Sequence, residues 1–231
     1  MPKQIKKKIS KTLNAEAEVK NKLYSLKDTF QERKKTILKY STGIIVVIMA
    51  IASFLFYSYT SQKKAKMLEY EAYNIYYNEY QKLPLDNKEL QYKNALEIFK
   101  KAYEIKKSPS SLFYIASCYY ELGKYDDALN ALNVFIKKYS DEDNFLPLVY
   151  QKMAMVYVKK GNITEAMKTL DILYNKSDIY KDLAIMEYGS LLEKEGKSEE
   201  AKKKYKELIT KFPASPFTDD AQTKLSKEKE G

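Results

Sequence analysis

Three glycines set the frame for this chain. Gly123, Gly161 and Gly196 stand 38 and 35 residues apart, and each sits in the same company. Seven residues before each comes a small residue: Ala116, Ala154, Gly189. Five residues after each comes an alanine: Ala128, Ala166, Ala201. Large residues occupy 119, 157 and 192 on one side of the glycine, and 132, 170 and 205 on the other. A unit of this size, recurring in register, is the signature of stacked supersecondary repeats. The helical reading is direct. A glycine ends the first helix of each unit in the left-handed conformation that Gly tolerates. The small residues let the first helix approach the second, and the large ones fill the space between. Pro213 ends the second helix of the last unit.

The spacing and residue types resemble the tetratricopeptide repeat. The unit carrying Ala116, Tyr119, Gly123, Tyr125 and Ala128 matches that family's pattern well. It departs at Phe135, where the family prefers Ala, and at Ser140, where it prefers Pro. The third unit adds Tyr205 and Pro213 but lacks a Tyr after its glycine. A degenerate unit precedes these. Tyr70 to Tyr80 resembles a first helix, Leu83-Pro-Leu-Asp-Asn an expanded turn, and Ala95, Phe99 and Ala102 a second helix. Asp220-Ala-Gln-Thr-Lys-Leu falls in a polar capping helix over 217–227, of the kind such arrays need at their ends. The expected domain spans 67–227, with repeats at about 67–107, 109–140, 147–177 and 182–213.

Upstream lies a different kind of segment. From Tyr40 to Gln62 the chain carries no charge, and Gly43 to Leu55 has no polar residue on any face before Ser53. A helix of some 20 residues crosses the hydrocarbon core of a bilayer. Tyr40 at one end, and Tyr57 and Tyr59 at the other, stand where interfacial aromatics belong. A buried core helix would need a polar face. A cleaved signal peptide would not have about forty residues before its apolar core, and Ala50-Ile-Ala52 is followed by more apolar residues. The expected fold class is therefore all-α: a transmembrane helix over 41–61 followed by a tetratricopeptide-repeat-like solenoid.

Charge gives the orientation. Residues 1–40 hold twelve Lys or Arg and four Asp or Glu, whereas residues 62–231 hold 29 and 27. Almost all of the net +10 sits before the apolar stretch. This bias places residues 1–40, the basic arm, in the cytoplasm and the repeats on the far side, in a bacterium the periplasm. The arm has Ile5, Ile9 and Leu13 at intervals of four, and Leu23, Leu26, Phe30 and Ile37 at helical spacing. Two readings stand for it: an amphipathic segment on anionic lipid, or a soluble arm that only fixes topology.

Composition excludes several function classes. The chain has no His, removing the commonest general base and metal ligand. Its one Cys, Cys118, allows neither a disulfide framework nor a thiolate zinc cluster, and a lipoprotein anchor would need a Cys after the apolar segment. Arg33 is the only Arg, which argues against nucleic acid, where bidentate recognition favours Arg. The carboxylate pairs Asp126-Asp127, Glu199-Glu200 and Asp219-Asp220 are adjacent in sequence and point different ways on a helix. We expect no enzyme, cofactor, metal or small-molecule substrate. An envelope hydrolase is the alternative of a different class, and it would need an acidic cleft.

What remains is protein interaction. Arrangement as a basic arm, one span and a repeat domain is similar to the YfgM-like inner-membrane proteins, ancillary subunits of the bacterial Sec translocon. That resemblance implies a scaffold working with the translocon and periplasmic folding helpers. A scaffold for another envelope machine, in division, pilus or outer-membrane assembly, would show the same features. The repeat family binds on the concave face formed by first helices. Carried over, its exposed positions are Phe113, Ser117, Tyr120 and Glu121 in the best unit. They are Gln151, Met155, Val158 and Lys159 in the next, and Met186, Ser190, Glu193 and Lys194 in the third. The degenerate unit adds Glu69, Tyr73, Tyr76 and Tyr77. Such an aromatic and methionine-bearing surface suits apolar peptide. The competing reading is that the same Tyr and Met residues pack neighbouring repeats.

Overall fold

The structure is a computed structural model. It describes residues 5–77 and 87–226, so the expected turn at Leu83-Pro-Leu-Asp and the residues Tyr80 and Lys227 lie outside the described part. The chain divides into two units, residues 1–60 and 61–231, each described by itself.

The first unit holds α1 (Ile5–Glu32) and the start of α2 (Lys34–Tyr77). In α2 the most apolar window buries none of its residues, and the helix is long and apolar enough to cross a membrane by length and composition. Ile44, Val46, Ile48, Phe54 and Phe56 are all more than half exposed, on every side of the helix.

The second unit, among its described residues, is an all-helical succession of helix pairs. Its first helices are the 61–77 stretch of α2, then α4 (Pro109–Glu121), α6 (Leu146–Lys159) and α8 (Lys181–Lys194). Its second helices are α3 (Lys88–Ile105), α5 (Tyr125–Lys138), α7 (Ile163–Lys176) and α9 (Ser198–Lys211), and α10 (Thr218–Ser226) closes the series. From α3 to α10 each helix packs on the next in chain order. Such nearest-neighbour stacking is the architecture of a solenoid.

The glycine turns form as the sequence predicts. Gly123, Gly161 and Gly196 have φ of 70, 73 and 75°. At the first, Gly123 N–H donates to Tyr120 O at 3.0 Å and Lys124 N–H donates to Tyr119 O at 2.8 Å. The same two bonds recur at Gly161–Asn162 and at Gly196–Lys197. This pattern satisfies the last carbonyls of the first helix and turns the chain into the second. Ser108 and Asn162 cap α4 and α7 by accepting from the Ser111 and Glu165 backbone N–H groups.

Within each pair the small and large residues meet. Ala116, Ala128 and Leu132, and Ala154, Ala166 and Leu170, are buried in one continuous core. In the third pair the roles are kept with other sizes. A Cβ added at Gly189 would lie 2.6 Å from Cε1 of Tyr205, which is itself buried. Glycine there makes room for the larger ring. In the degenerate unit, Ala95, Phe99 and Ala102 of α3 are buried, with Ala72 of α2 against them. Gln91 of α3 reaches back to the end of α2. Its Nε2 donates to Ile75 O and Tyr76 O, both at 2.8 Å, capping carbonyls at the end of α2. The closing helix is less purely polar than expected, because Phe217, Ala221 and Leu225 join the core of α8 and α9.

Candidate functional site

The expected groove residues separate into two regions. At the α2–α4 end, Tyr73, Tyr76 and Tyr77 turn on one another and on Tyr114 of α4. Ring centres lie 4.5 Å apart for Tyr73–Tyr77, 5.6 Å for Tyr73–Tyr114 and 5.5 Å for Tyr76–Tyr114. Tyr92 of α3 closes on Tyr76 at 5.4 Å. Edge and tilted contacts of this kind stabilise packing beyond the area they bury. Burial pushes the Tyr76 and Tyr114 hydroxyls far above the usual phenol range. Glu69 accepts from the Ser108 and Ser111 hydroxyls, joining α2 to the start of α4. Phe113 lies against Tyr114 and Phe145, with centres 5.5 and 5.9 Å away. These side chains join neighbouring helices.

The expected exposure of Ser117 is not met. It is 2% exposed, because α4 packs against α3, α5 and α6 and is buried all round from Ile115 to Cys118. Cys118 beside it is buried, and burial pushes its thiol up to about 12, which keeps it protonated.

At the other end a true groove opens. It encloses about 370 Å³ between α4, α6, α8 and the start of α10. Tyr120, Met155, Val158, Lys159, Met186, Ser190 and Lys194 line it, all of them expected. The first-helix geometry explains this gathering, since residues three and four apart share a helix face and successive first helices lie side by side. Gln151 stands at its edge and donates through Nε2 to Oε1 of Glu187 at 3.1 Å. Glu193 is engaged in an ion pair with Lys224 that ties α8 to α10. Glu121 is exposed.

The core residues Ala154, Leu170 and Leu191 form its floor, and four further lining residues were not expected: Leu183, Glu187, Phe217 and Asp220. Leu183 and Glu187 are visible in principle. They stand seven and three residues before Ser190, and so on its face of α8. Phe217 just precedes the closing helix and Asp220 lies on it, and their role as a groove wall depends on how that helix folds back.

The electrostatics of the groove are uneven. Burial pushes the Glu187 carboxyl above the usual range, and the Gln151 hydrogen bond offsets this only in part. Lys152 of α6 is shielded from water, which lowers its ammonium pKa against the opposing pull of Glu121. Its Nζ sits 4.8 Å from the centre of the Tyr120 ring. Among the described residues, no three His, Cys, Asp or Glu side chains gather to hold a metal.

Comparison with known proteins agrees with this architecture. The model of the tetratricopeptide repeat-like domain family matches residues 27–227. No curated protein matches the chain. Among solved structures, a candidate kinesin light chain of Podosopora anserina, with nearly identical TPR-like repeats, has a TM-score of 0.55 at 15% identity. That match covers 72% of this chain and 85% of the other. The crystal structure of MamA gives a TM-score of 0.45 at 20% identity, over 54% of this chain and 74% of the other. The TPR2AB domain of yeast Sti1, solved in complex with pHSP90, gives 0.42 at 18% identity, over 71% and 72%. With three glycine turns of one geometry, a small-to-large core register through every pair and a family match over most of its length, this chain belongs to the tetratricopeptide repeat-like domain family.

Proposed function

We propose that this protein is a membrane-anchored scaffold that docks extended segments of partner proteins in the groove between α4, α6 and α8. The observation that carries this reading is the groove itself. It is an open cleft lined by Met155, Val158 and Met186, with Tyr120 and Phe217 at its ends. Flexible thioethers and aromatic rings adapt to varied apolar side chains. The family supports protein binding and gives no chemistry to expect beyond it.

The anchor is the apolar stretch of α2, whose exposed side chains on all faces suit lipid and would be costly in water. The excess of Lys and Arg before it favours an N-terminus in the cytoplasm and the solenoid in the periplasm of a bacterial inner membrane. Within this reading, the likeness in arrangement to the YfgM-like proteins supports an ancillary role at the Sec translocon with periplasmic folding helpers. A scaffold for division, pilus or outer-membrane assembly is the second reading, supported by the same sequence features.

The test is photocrosslinking of full-length protein in its native membrane, with the probe at Met155 or Met186 and, for comparison, at exposed Asn133 of α5. Translocon subunits and periplasmic folding factors captured from the groove positions alone would support the first reading. Division or outer-membrane assembly proteins from those positions would replace it with the second. Equal capture from Asn133 would overturn the groove as the docking face, and cytoplasmic partners would overturn the orientation.

A further inference from the structure

Glu187 is out of place in an apolar groove. Its carboxylate lines the cavity wall, and its partner among the described residues is the neutral amide of Gln151, at 3.1 Å. The two lysines of the rim, Lys159 and Lys194, line the same groove without engaging it. An ionised carboxylate offers about four acceptor sites, and one amide donor leaves most of them unused. A shielded negative charge without a cation is unfavourable, and the strong remedy is a charge-assisted hydrogen bond from a cationic donor. Burial raises the pKa of this carboxyl, consistent with a charge that lacks its partner.

The walls around Glu187 narrow the chemistry of that partner. Met155, Val158 and Met186 would contact an aliphatic stem, while the charged head reaches past them to the carboxylate. Lys and Arg side chains are built this way. An acidic segment would bring like charge to Glu187 and to Asp220 at the end of the groove. We propose that the groove takes an extended protein segment in which a Lys or Arg is flanked by apolar residues, and that Glu187 receives its cationic head. This inference rests on the groove being the docking face.

The test uses full-length protein in detergent and three fluorescein-labelled peptides. They share the sequence Gly-Ser-Leu-Ile-X-Leu-Val-Ser-Gly, where X is Lys, norleucine or Glu, and binding is read by anisotropy. The Lys peptide is expected to bind about tenfold tighter than the norleucine peptide, and the Glu peptide weakest of the three. Glu187→Gln is expected to abolish the preference for Lys, so that the Lys and norleucine peptides bind alike. Far-ultraviolet circular dichroism melts check that this variant is folded. Met155→Asp, a second and independent variant, is expected to weaken all three peptides.

Equal affinity for Lys and norleucine in the wild type, or a Lys preference that survives Glu187→Gln, would overturn the cation subsite and leave the groove standing. Failure of every peptide to bind would overturn the groove reading beneath it. Displacement of the Lys peptide by free butylamine at equal concentration would assign the site to small amines and overturn the assignment to protein.

Discussion

The α6–α7 and α8–α9 pairs fill the same slot in two ways. In the first, Ala154 faces the region of Leu170, both buried in the central core. In the second, Gly189 gives way to Tyr205, whose Cε1 occupies space a Cβ would need. One methyl group is removed from one helix and a much larger side chain is accepted from the other. The repeat therefore specifies the joint volume of two positions more than the identity of either, as expected of interiors packed at crystal-like density.

Transplanting the third solution into the second repeat should produce the largest effect. Leu170→Tyr alone places the ring against the Ala154 Cβ and is expected to cost about 3 kcal/mol, as overpacking does. Adding Ala154→Gly should recover most of that loss. Urea unfolding of the full chain in detergent, followed by circular dichroism, reads both, and no recovery in the double variant would break the comparison. Next comes Gly189→Ala, expected to cost about 2 kcal/mol, with Tyr205→Leu in the same chain restoring stability. Additive losses there would show that the two positions are independent.

The glycine turns sharpen the comparison by being alike where the slots differ. Gly161→Ala should cost about 1 kcal/mol, because a Cβ is strained at positive φ, and Gly123→Ala and Gly196→Ala should match it. No neighbouring atom crowds a Cβ at any of the three, so the backbone conformation alone sets the cost. Markedly unequal losses would mean that the turns are not one device.

The smallest effect concerns Glu187. Its folded-state pKa is raised by burial above the reference 4.5. The stability it contributes is then fully present below pH 4.5 and is lost as pH rises through the folded value. Glu187→Gln lacks this titration. The variant should gain melting temperature relative to the wild type between about pH 4.5 and neutrality, and the difference should shrink on acidification. Nearby, the Gln151 amide does not titrate, and burial holds the Tyr120 hydroxyl above the usual phenol range. A constant difference across the range would show that the carboxyl titrates as an exposed group.

Local chemistry made much of this architecture legible. Positive-φ glycines, alanines at fixed offsets and one proline mark turns and close approaches through the main chain, which sequence spacing reports directly. The coupling of Gly189 to Tyr205 was not legible, because both residues fit the pattern singly and their pairing appears only when α8 and α9 touch. Gln91 was hidden for a similar reason: its amide reaches carbonyls fifteen and sixteen residues away. Of the expected groove residues, Tyr120 of α4 and most of those of α6 and α8 gather around one cavity, whereas Tyr73, Tyr76 and Tyr77 join helices. Pattern positions tell which way a side chain leaves its own helix. They do not tell whether the next repeat leaves space there. Glu187 was passed over because the carried-over positions skip it, although its helical phase puts it beside Ser190.

The glycine opposite Tyr205 also constrains history. Two substitutions separate an Ala–Leu slot from a Gly–Tyr slot, and the order in which they occur matters. A chain that acquires the ring first must hold it 2.6 Å from a methyl group, and something has to shift. A chain that loses the methyl first carries a small void and a more pliable helix, at about 1 kcal/mol each. Between those two slots, the passable route runs through looseness before bulk.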